Sequence, residues 1–296
     1  MEDGGWRMED GGWRMEDREP RLGHRPFWLV RRGWDHASGR VTRQSVVMRV
    51  LITGAAGFIG RKLTQALERE HELRLGDVHP IAGDGRFVPC DVTCPAEVQG
   101  AVQGIDAVIH LAIAGGHEGD YEEDQFNQRR FDVNVKGMHN VLQAARRAGV
   151  RRIVHTSSIM VVWGYRPPEW VPADAAARPV GTYAQTKHLA EVLCEHAACA
   201  SDMSIVCLRI AKPIDLEDPA WKQRPIRPQW VPYPDLVEAY RLALTADVSG
   251  CEIVTVVGES SLRRWDLSKA ERVLGYRPRY RLEELGYTLG EEDAPI

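Results

Sequence analysis

Three glycines at fixed spacing, Gly54, Gly57 and Gly60, constrain the fold of this chain more than any other feature, because of what stands on either side of them. The run before them, Arg49 to Thr53, reads as a strand, and Phe58 to Glu70 after them carries helical patterning. A strand that turns through glycines straight into a helix leaves free N–H groups and the positive end of the helix dipole at the strand's carboxyl end. Gly54 permits the tight turn and Gly57 lets the backbone approach a pyrophosphate. Gly60 allows close helix packing, and Phe58 and Ile59 open the helix between the last two glycines. The pattern is that of a dinucleotide cradle; a glycine-rich turn without a ligand is the alternative.

The alternation continues beyond the turn. Strand-like runs at Glu72–Asp77, Arg86–Val88, Ala107–His110, Arg152–Ser157 and Ser204–Ile210 are separated, for the most part, by helical stretches around Ala96–Gln103, Val133–Ala148 and Thr182–Ala198. Strands alternating with helices predict an α/β fold, a Rossmann-type doubly wound parallel sheet, over residues 48–212. After Ile210, Pro213, Pro219, Trp221, Pro225, Pro228, Trp230 and Pro232 rule out a long regular element, so 213–296 is expected to form a small substrate-binding region on the same domain. A helix at Asp235–Thr245, a strand at Glu252–Val257 and a helix near Leu267–Leu274 close the chain. Residues 1–47 differ: MEDGGWR occurs twice in tandem and a third copy begins at Met15, without helical or strand periodicity, so a disordered extension is expected there.

Composition narrows the partners. A net charge of −4 leaves no basic excess to neutralise a phosphate backbone, so nucleic acid is not expected. No apolar run approaches the roughly 20 residues that span a bilayer, so no membrane is expected and the cytoplasm is the predicted location. The six cysteines show no CxxC pairing and no His/Cys cluster has metal spacing; neither disulfide nor metal is assigned.

Asp77 ends the second predicted strand, about 20 residues past the first glycine, where a carboxylate accepts hydrogen bonds from the adenosine ribose and repels a 2′-phosphate. NAD is therefore predicted over NADP; a turn-capping aspartate is the bland alternative. Tyr183 and Lys187 stand at i and i+4, on one helix face. A phenol is a poor base near neutral pH, but an adjacent ammonium and a bound nicotinamide cation favour its phenolate, which could then take a hydroxyl proton. YxxxK alone is a weak signal. It gains weight from following the predicted fifth strand and Thr156-Ser157-Ser158.

With these residues together, the chain from about Met48 onward resembles the extended short-chain dehydrogenase/reductases, also called the NAD-dependent epimerase/dehydratase family. Gly54, Gly57 and Gly60 match its glycine motif, and Asp91-Val92 its adenine-side Asp-Val. His110-Leu111-Ala112 matches its fourth-strand motif, Asn134-Val135-Lys136-Gly137 its Asn-Val-x-Gly, Ser157-Ser158 its Ser-Ser, and Tyr183 and Lys187 its YxxxK. The resemblance implies that Ser158 holds the substrate oxygen and that Tyr183 is the acid/base. Lys187 would grip the nicotinamide ribose and lower the tyrosine pKa, and Asn134 would organise the active-site helix. It adds Asp91, Val92, Leu111, Ala112 and Pro213 to the cofactor contacts.

Within the family the chain is most similar to uronate dehydrogenases, which oxidise the anomeric carbon of hexuronates to a lactone with NAD. Arg178 to Tyr183, Leu208-Arg209-Ile210, Arg264-Trp265-Asp266 and Leu274 to Pro278 carry that likeness. It departs from them at Ile159-Met160, where they have Asn-His, and at Lys212, where a small polar residue is expected. The implied substrate is a sugar, a sugar acid or a related polyhydroxylated compound, contacted by Ile159, Met160 and two loop arginines, Arg224 and Arg227; a homodimer is left open. A nucleotide-sugar epimerase or dehydratase, in which NAD is reduced and reoxidised within one turnover, is the second reading. A non-catalytic NAD-binding regulatory protein is the third.

Overall fold

The computed structural model describes residues 47–116 and 119–291, together with the backbone of four three-residue strands nearer the amino terminus. Those four pair as two antiparallel hairpins, Arg7–Glu9 with Gly12–Arg14 and Arg32–Trp34 with Val41–Arg43. The rest of the expected disordered extension lies outside the described residues. Val47–Ile296 forms a separate compact unit.

In that unit the strands β1 (Arg49–Thr53), β2 (Glu72–Asp77), β3 (Phe87–Pro89), β4 (Ala107–His110), β5 (Arg152–Ser158), β6 (Ser204–Ile210) and β9 (Cys251–Val256) build one sheet. Its order is β9-β6-β5-β4-β1-β2-β3 and every pairing is parallel. Two short strands, β7 (Pro213–Ile214) and β8 (Val231–Pro232), pair outside the main sheet. The order reverses between β1 and β4, and such a switch point opens a crevice at the carboxyl ends of the strands.

Both faces are covered, which is why the central strands are continuously apolar rather than alternating. Val50 and Ile52 of β1 face one core with Leu63 and Leu67 of α1 (Phe58–Leu67) and Leu236 and Tyr240 of α6 (Tyr233–Thr245). Leu51 between them faces the other, with Val98 of α2 (Pro95–Ala101), Val141 of α4 (Gly137–Ala148) and Ala190 of α5 (Thr182–Cys199). A small third cluster, Ile214, Ile226, Trp230, Leu282 and Tyr287, packs the region after β6. The chain past residue 212 also returns to the main sheet, since it supplies β9 and the covering helices α6 and α7 (Ser268–Leu274).

The helix predicted from Val133 begins earlier. α3 (Asp124–Arg130) runs through a π-helical turn, Phe131–Lys136, into α4. Its polar sequence hid it, because DQFNQRR buries only Phe126 and Arg130. Gly149, in the left-handed conformation at φ 75°, ends α4.

Candidate active site

The glycine turn is built so that only glycine fits at its ends. Gly54 has φ 74°, and a β-carbon there would lie 2.8 Å from the Ala112 amide nitrogen. A β-carbon on Gly60 would lie 2.5 Å from the Gly54 carbonyl oxygen, so the first turn of α1 rests directly on the loop. Gly57 is the N-cap of α1 and offers no side chain to its free N–H groups, which leaves them to an incoming anion. Phe58, 88% exposed, and Ile59 begin that turn.

Asp77 holds the glycine turn. Its Oδ2 accepts from the Ala56 amide at 2.9 Å and its Oδ1 from the His79 amide at 2.9 Å, pinning the glycine turn to the end of β2. The turn-capping role weighed from the sequence is thus real, and each oxygen keeps a lone pair for a ribose hydroxyl. Asp91 accepts from the Thr93 amide and hydroxyl, both at 2.8 Å, while the Val92 carbonyl accepts from Asn140. Leu111 and Ala112 follow β4 beside Gly54. Pro213 opens β7. A pyrophosphate on the bare α1 terminus and an adenosine ribose at Asp77 suit the cradle, so the residues fit the NAD that the family requires.

Ser158 ends β5, where Ile210 of β6 is its register partner, and its Oγ accepts from the Met160 amide at 3.2 Å. The Ser158 hydroxyl lies near enough to the Tyr183 phenol to favour its phenolate. Burial pushes Tyr183 up to about 12, against the downward pull of Ser158 and of the Arg130 cation; Tyr121 adds to the rise. Lys187 is fully enclosed. Its Nζ donates to the Thr156 carbonyl at 2.8 Å and stands 6.0 Å from the centre of the Tyr183 ring. Burial lowers Lys187 to about 8, with Glu191 opposing. Asn134 sits in the π-helical turn: its Oδ1 accepts from the Ala114 amide at 3.0 Å and its Nδ2 donates to Thr186 Oγ1 at 2.9 Å. It thereby ties the segment after β4 to α5, between the tyrosine and the lysine.

Beneath them lie groups to which the sequence assigned no role. Glu191 of α5 accepts from Ser157 Oγ at 2.6 Å and from Arg209 Nε and Nη2 at 2.8 Å each, locking α5 to β5 and β6. His110 and His155 stack at 5.6 Å under Lys187, with His110 Nδ1 2.8 Å from Thr53 Oγ1. Both are buried.

The expected substrate contacts separate. Ile159 is buried in the core on the α1 side, and Met160 packs against that core while half exposed. Arg224 lines a cavity of about 450 Å³ with Asp218, Ala220, Trp221 and Gln223, and Arg227 lies further along the same loop. Lys212, two residues past β6, lies 4.9 Å above the Trp230 ring and 5.5 Å above the Trp221 ring, which Arg224 also approaches at 5.5 Å. Burial, and then the charges of Arg224 and Arg227, lower the Lys212 pKa. Among the described residues neither Lys212 nor Arg224 forms an ion pair with a carboxylate, although Asp218 shares the cavity wall. None of the described His, Cys, Asp and Glu residues cluster as a metal site, and no helix among them is long and apolar enough to cross a membrane.

This sheet, glycine turn and Ser-Tyr-Lys grouping define an NAD-dependent oxidoreductase of the extended short-chain dehydrogenase/reductase type. The chain belongs to the NAD dependent epimerase/dehydratase family, whose model matches residues 50–214. It is 29% identical over 252 residues to the uronate dehydrogenase of Pseudomonas putida, covering 83% of this chain and 90% of that one. It is 28% identical over 255 residues to the L-arabinose 1-dehydrogenase (NAD(P)(+)) of Haloferax volcanii, covering 78% and 96%. A mutant uronate dehydrogenase from Agrobacterium tumefaciens, solved as its NAD complex, matches with a TM-score of 0.68 and 28% identity over 81% of this chain and 88% of that one.

Proposed function

We propose that the enzyme oxidises a hydroxyl of a sugar acid, or of a closely related anionic sugar, with release of NADH. The observation that carries this reading is the meeting of Ser158, Tyr183 and Lys187 at the carboxyl end of β5, with the cations Lys212 and Arg224 in the segment that follows β6. NAD, when bound, supplies the hydride acceptor. Ser158 holds the reacting hydroxyl through its Oγ. Tyr183 takes that hydroxyl's proton, helped by the cofactor's positive ring, which opposes the burial that keeps the free phenol protonated. Lys187 is fixed by the Thr156 carbonyl and keeps further N–H donors for the cofactor ribose. Lys212 and Arg224 supply the charge that a substrate carboxylate needs. The likeness to uronate and arabinose dehydrogenases supports net oxidation of a sugar.

The test is NADH absorbance with glucuronate, galacturonate, neutral hexoses and pentoses, and UDP-sugars, on wild type and Tyr183→Phe. Net NADH from an acidic sugar is expected, abolished in the variant while NAD still binds. Conversion of a UDP-sugar without net NADH would replace this reading with the epimerase one.

A further inference from the structure

We propose that Glu122 and Arg130 form a charged clamp that positions Tyr183, the Glu122 carboxylate capping the tyrosine-bearing helix from another segment and the buried Arg130 cation acting on both the carboxylate and the phenol. The inference rests on the reading of Tyr183 as the acid/base.

α5 starts without a cap of its own. Its N-cap is Gly181, at φ 83°, which has no side chain to meet the first free N–H groups. The Glu122 carboxylate, 60 residues earlier in sequence, accepts from the Thr182 amide at 3.2 Å through Oε1 and 3.3 Å through Oε2. A β-carbon on Gly181 would lie 3.0 Å from that Oε1, so the approach as well as the backbone angle selects glycine. A carboxylate at a helix N-terminus also meets the positive end of the dipole. Thr182 is the first residue of α5 and Tyr183 the second, so the clamp acts where the phenol's direction is set.

Arg130 completes the clamp. Its side chain is 1% exposed, and its guanidinium lies 3.9 Å over the Tyr121 ring and 4.3 Å over the Phe126 ring. Nη1 donates to Asn127 Oδ1 at 2.5 Å and stands 3.6 Å from Glu122 Oε1, while Nε and Nη2 have no partner among the described residues. A buried cation so incompletely paired is expensive, which argues that its charge serves a purpose other than stability. No solvent reaches those nitrogens, so they are not a substrate subsite. The groups that act electrostatically on the Tyr183 phenol are Ser158 at the end of β5, Tyr121 before α3, Arg130 on α3 and Tyr240 on α6, with Lys187 of its own helix 6.0 Å from the ring centre. Arg130 favours the phenolate. Burial would raise the Glu122 carboxyl, but the Thr182 and Asn127 hydrogen bonds and Arg130 outweigh it and hold Glu122 ionised.

Two measurements on the NAD-bound protein test this without a known substrate. The first is the ultraviolet titration of Tyr183, read as each protein minus its Tyr183→Phe counterpart. Arg130→Met should raise the midpoint by on the order of one pH unit, and Arg130→Lys should restore it. An unmoved midpoint in Arg130→Met overturns the electrostatic half. The second is amide exchange in the first turn of α5, which Glu122→Ala should speed by on the order of tenfold with the rest of the sheet unchanged. Unchanged exchange there overturns the cap. If Arg130→Met does not fold, Arg130→Gln takes its place in the titration. Turnover retained by Tyr183→Phe would remove the acid/base reading itself, which is a different failure from an unmoved midpoint.

Discussion

At the residue scale, the side chains that matter most are those whose charge and burial are set against each other. Asp77 ties the glycine turn and, on the proposed NAD reading, would face the adenosine ribose, so Asp77→Ala would remove the loop bonds and the 2′-phosphate repulsion together. NAD affinity is expected to fall on the order of tenfold to a hundredfold, with NADP affected less, so that the preference narrows. Titration of both cofactors checks it, and an unchanged preference would sink the assignment. The buried histidines make a separate prediction. Burial and then Lys187 lower His110 to about 3, and the same two causes, with His110 added, hold His155 well below its ordinary value. Each folded pKa lies below the unfolded value of about 6.5, so between them the unfolded chain binds more protons, and stability falls as pH drops from about 6.5 toward 3. His155→Phe keeps a ring against His110 and removes one of these sites, so its melting temperature should fall less steeply with pH than that of wild type. Parallel slopes would mean that His155 does not titrate on unfolding.

At the element scale, the parts legible in the sequence are those where local chemistry and tertiary position agree. The strand, glycine turn and helix from Arg49 to Leu67 could be read because apolar periodicity, glycine spacing and the turn all demand the same geometry. Tyr183 and Lys187 were readable as a motif, and Ser158 and Asn134 through resemblance. Glu122, Arg130, Glu191 and Arg209 were not, since each acts through a partner on another element, 18 to 60 residues away for Glu191–Arg209 and Glu122–Thr182, and no spacing rule connects them. α3 was missed for a related reason: a helix that buries a single aromatic and an arginine has no apolar stripe to read. The turn itself gives a graded prediction. Gly60→Ala drives a β-carbon to 2.5 Å from a backbone oxygen that cannot move without opening the turn, whereas Gly57→Ala brings one only to 3.2 Å from the same oxygen. Gly60→Ala should cost about 1–3 kcal/mol and weaken NAD binding; Gly57→Ala should cost less stability. Melting temperatures in that reverse order would contradict the packing argument.

At the scale of the whole molecule, a net charge of −4 repels an anionic substrate, so any attraction must come from the local field at the carboxyl ends of the strands. On the proposed reading Lys212 and Arg224 would supply such a field; burial first, and then the charges of Arg224 and Arg227, lower the Lys212 pKa where it stands over the tryptophan rings. A bound anion would relieve the repulsion among these cations. Two consequences separate this from a loop whose charges are merely solvated. The KM for an acidic sugar should rise with ionic strength while that for a neutral sugar stays nearly flat, because salt screens an exposed pair of cations within about a Debye length of 10 Å at 0.1 M. Lys212→Ser should raise the acidic substrate's KM on the order of tenfold, flatten its salt dependence and leave the neutral substrate unchanged. Steady-state kinetics on glucuronate and glucose at low and high salt, for wild type and variant, give all four comparisons. Equal responses of the two sugars in both proteins would mean that the cations serve packing alone and that the substrate's charge is read elsewhere in the crevice.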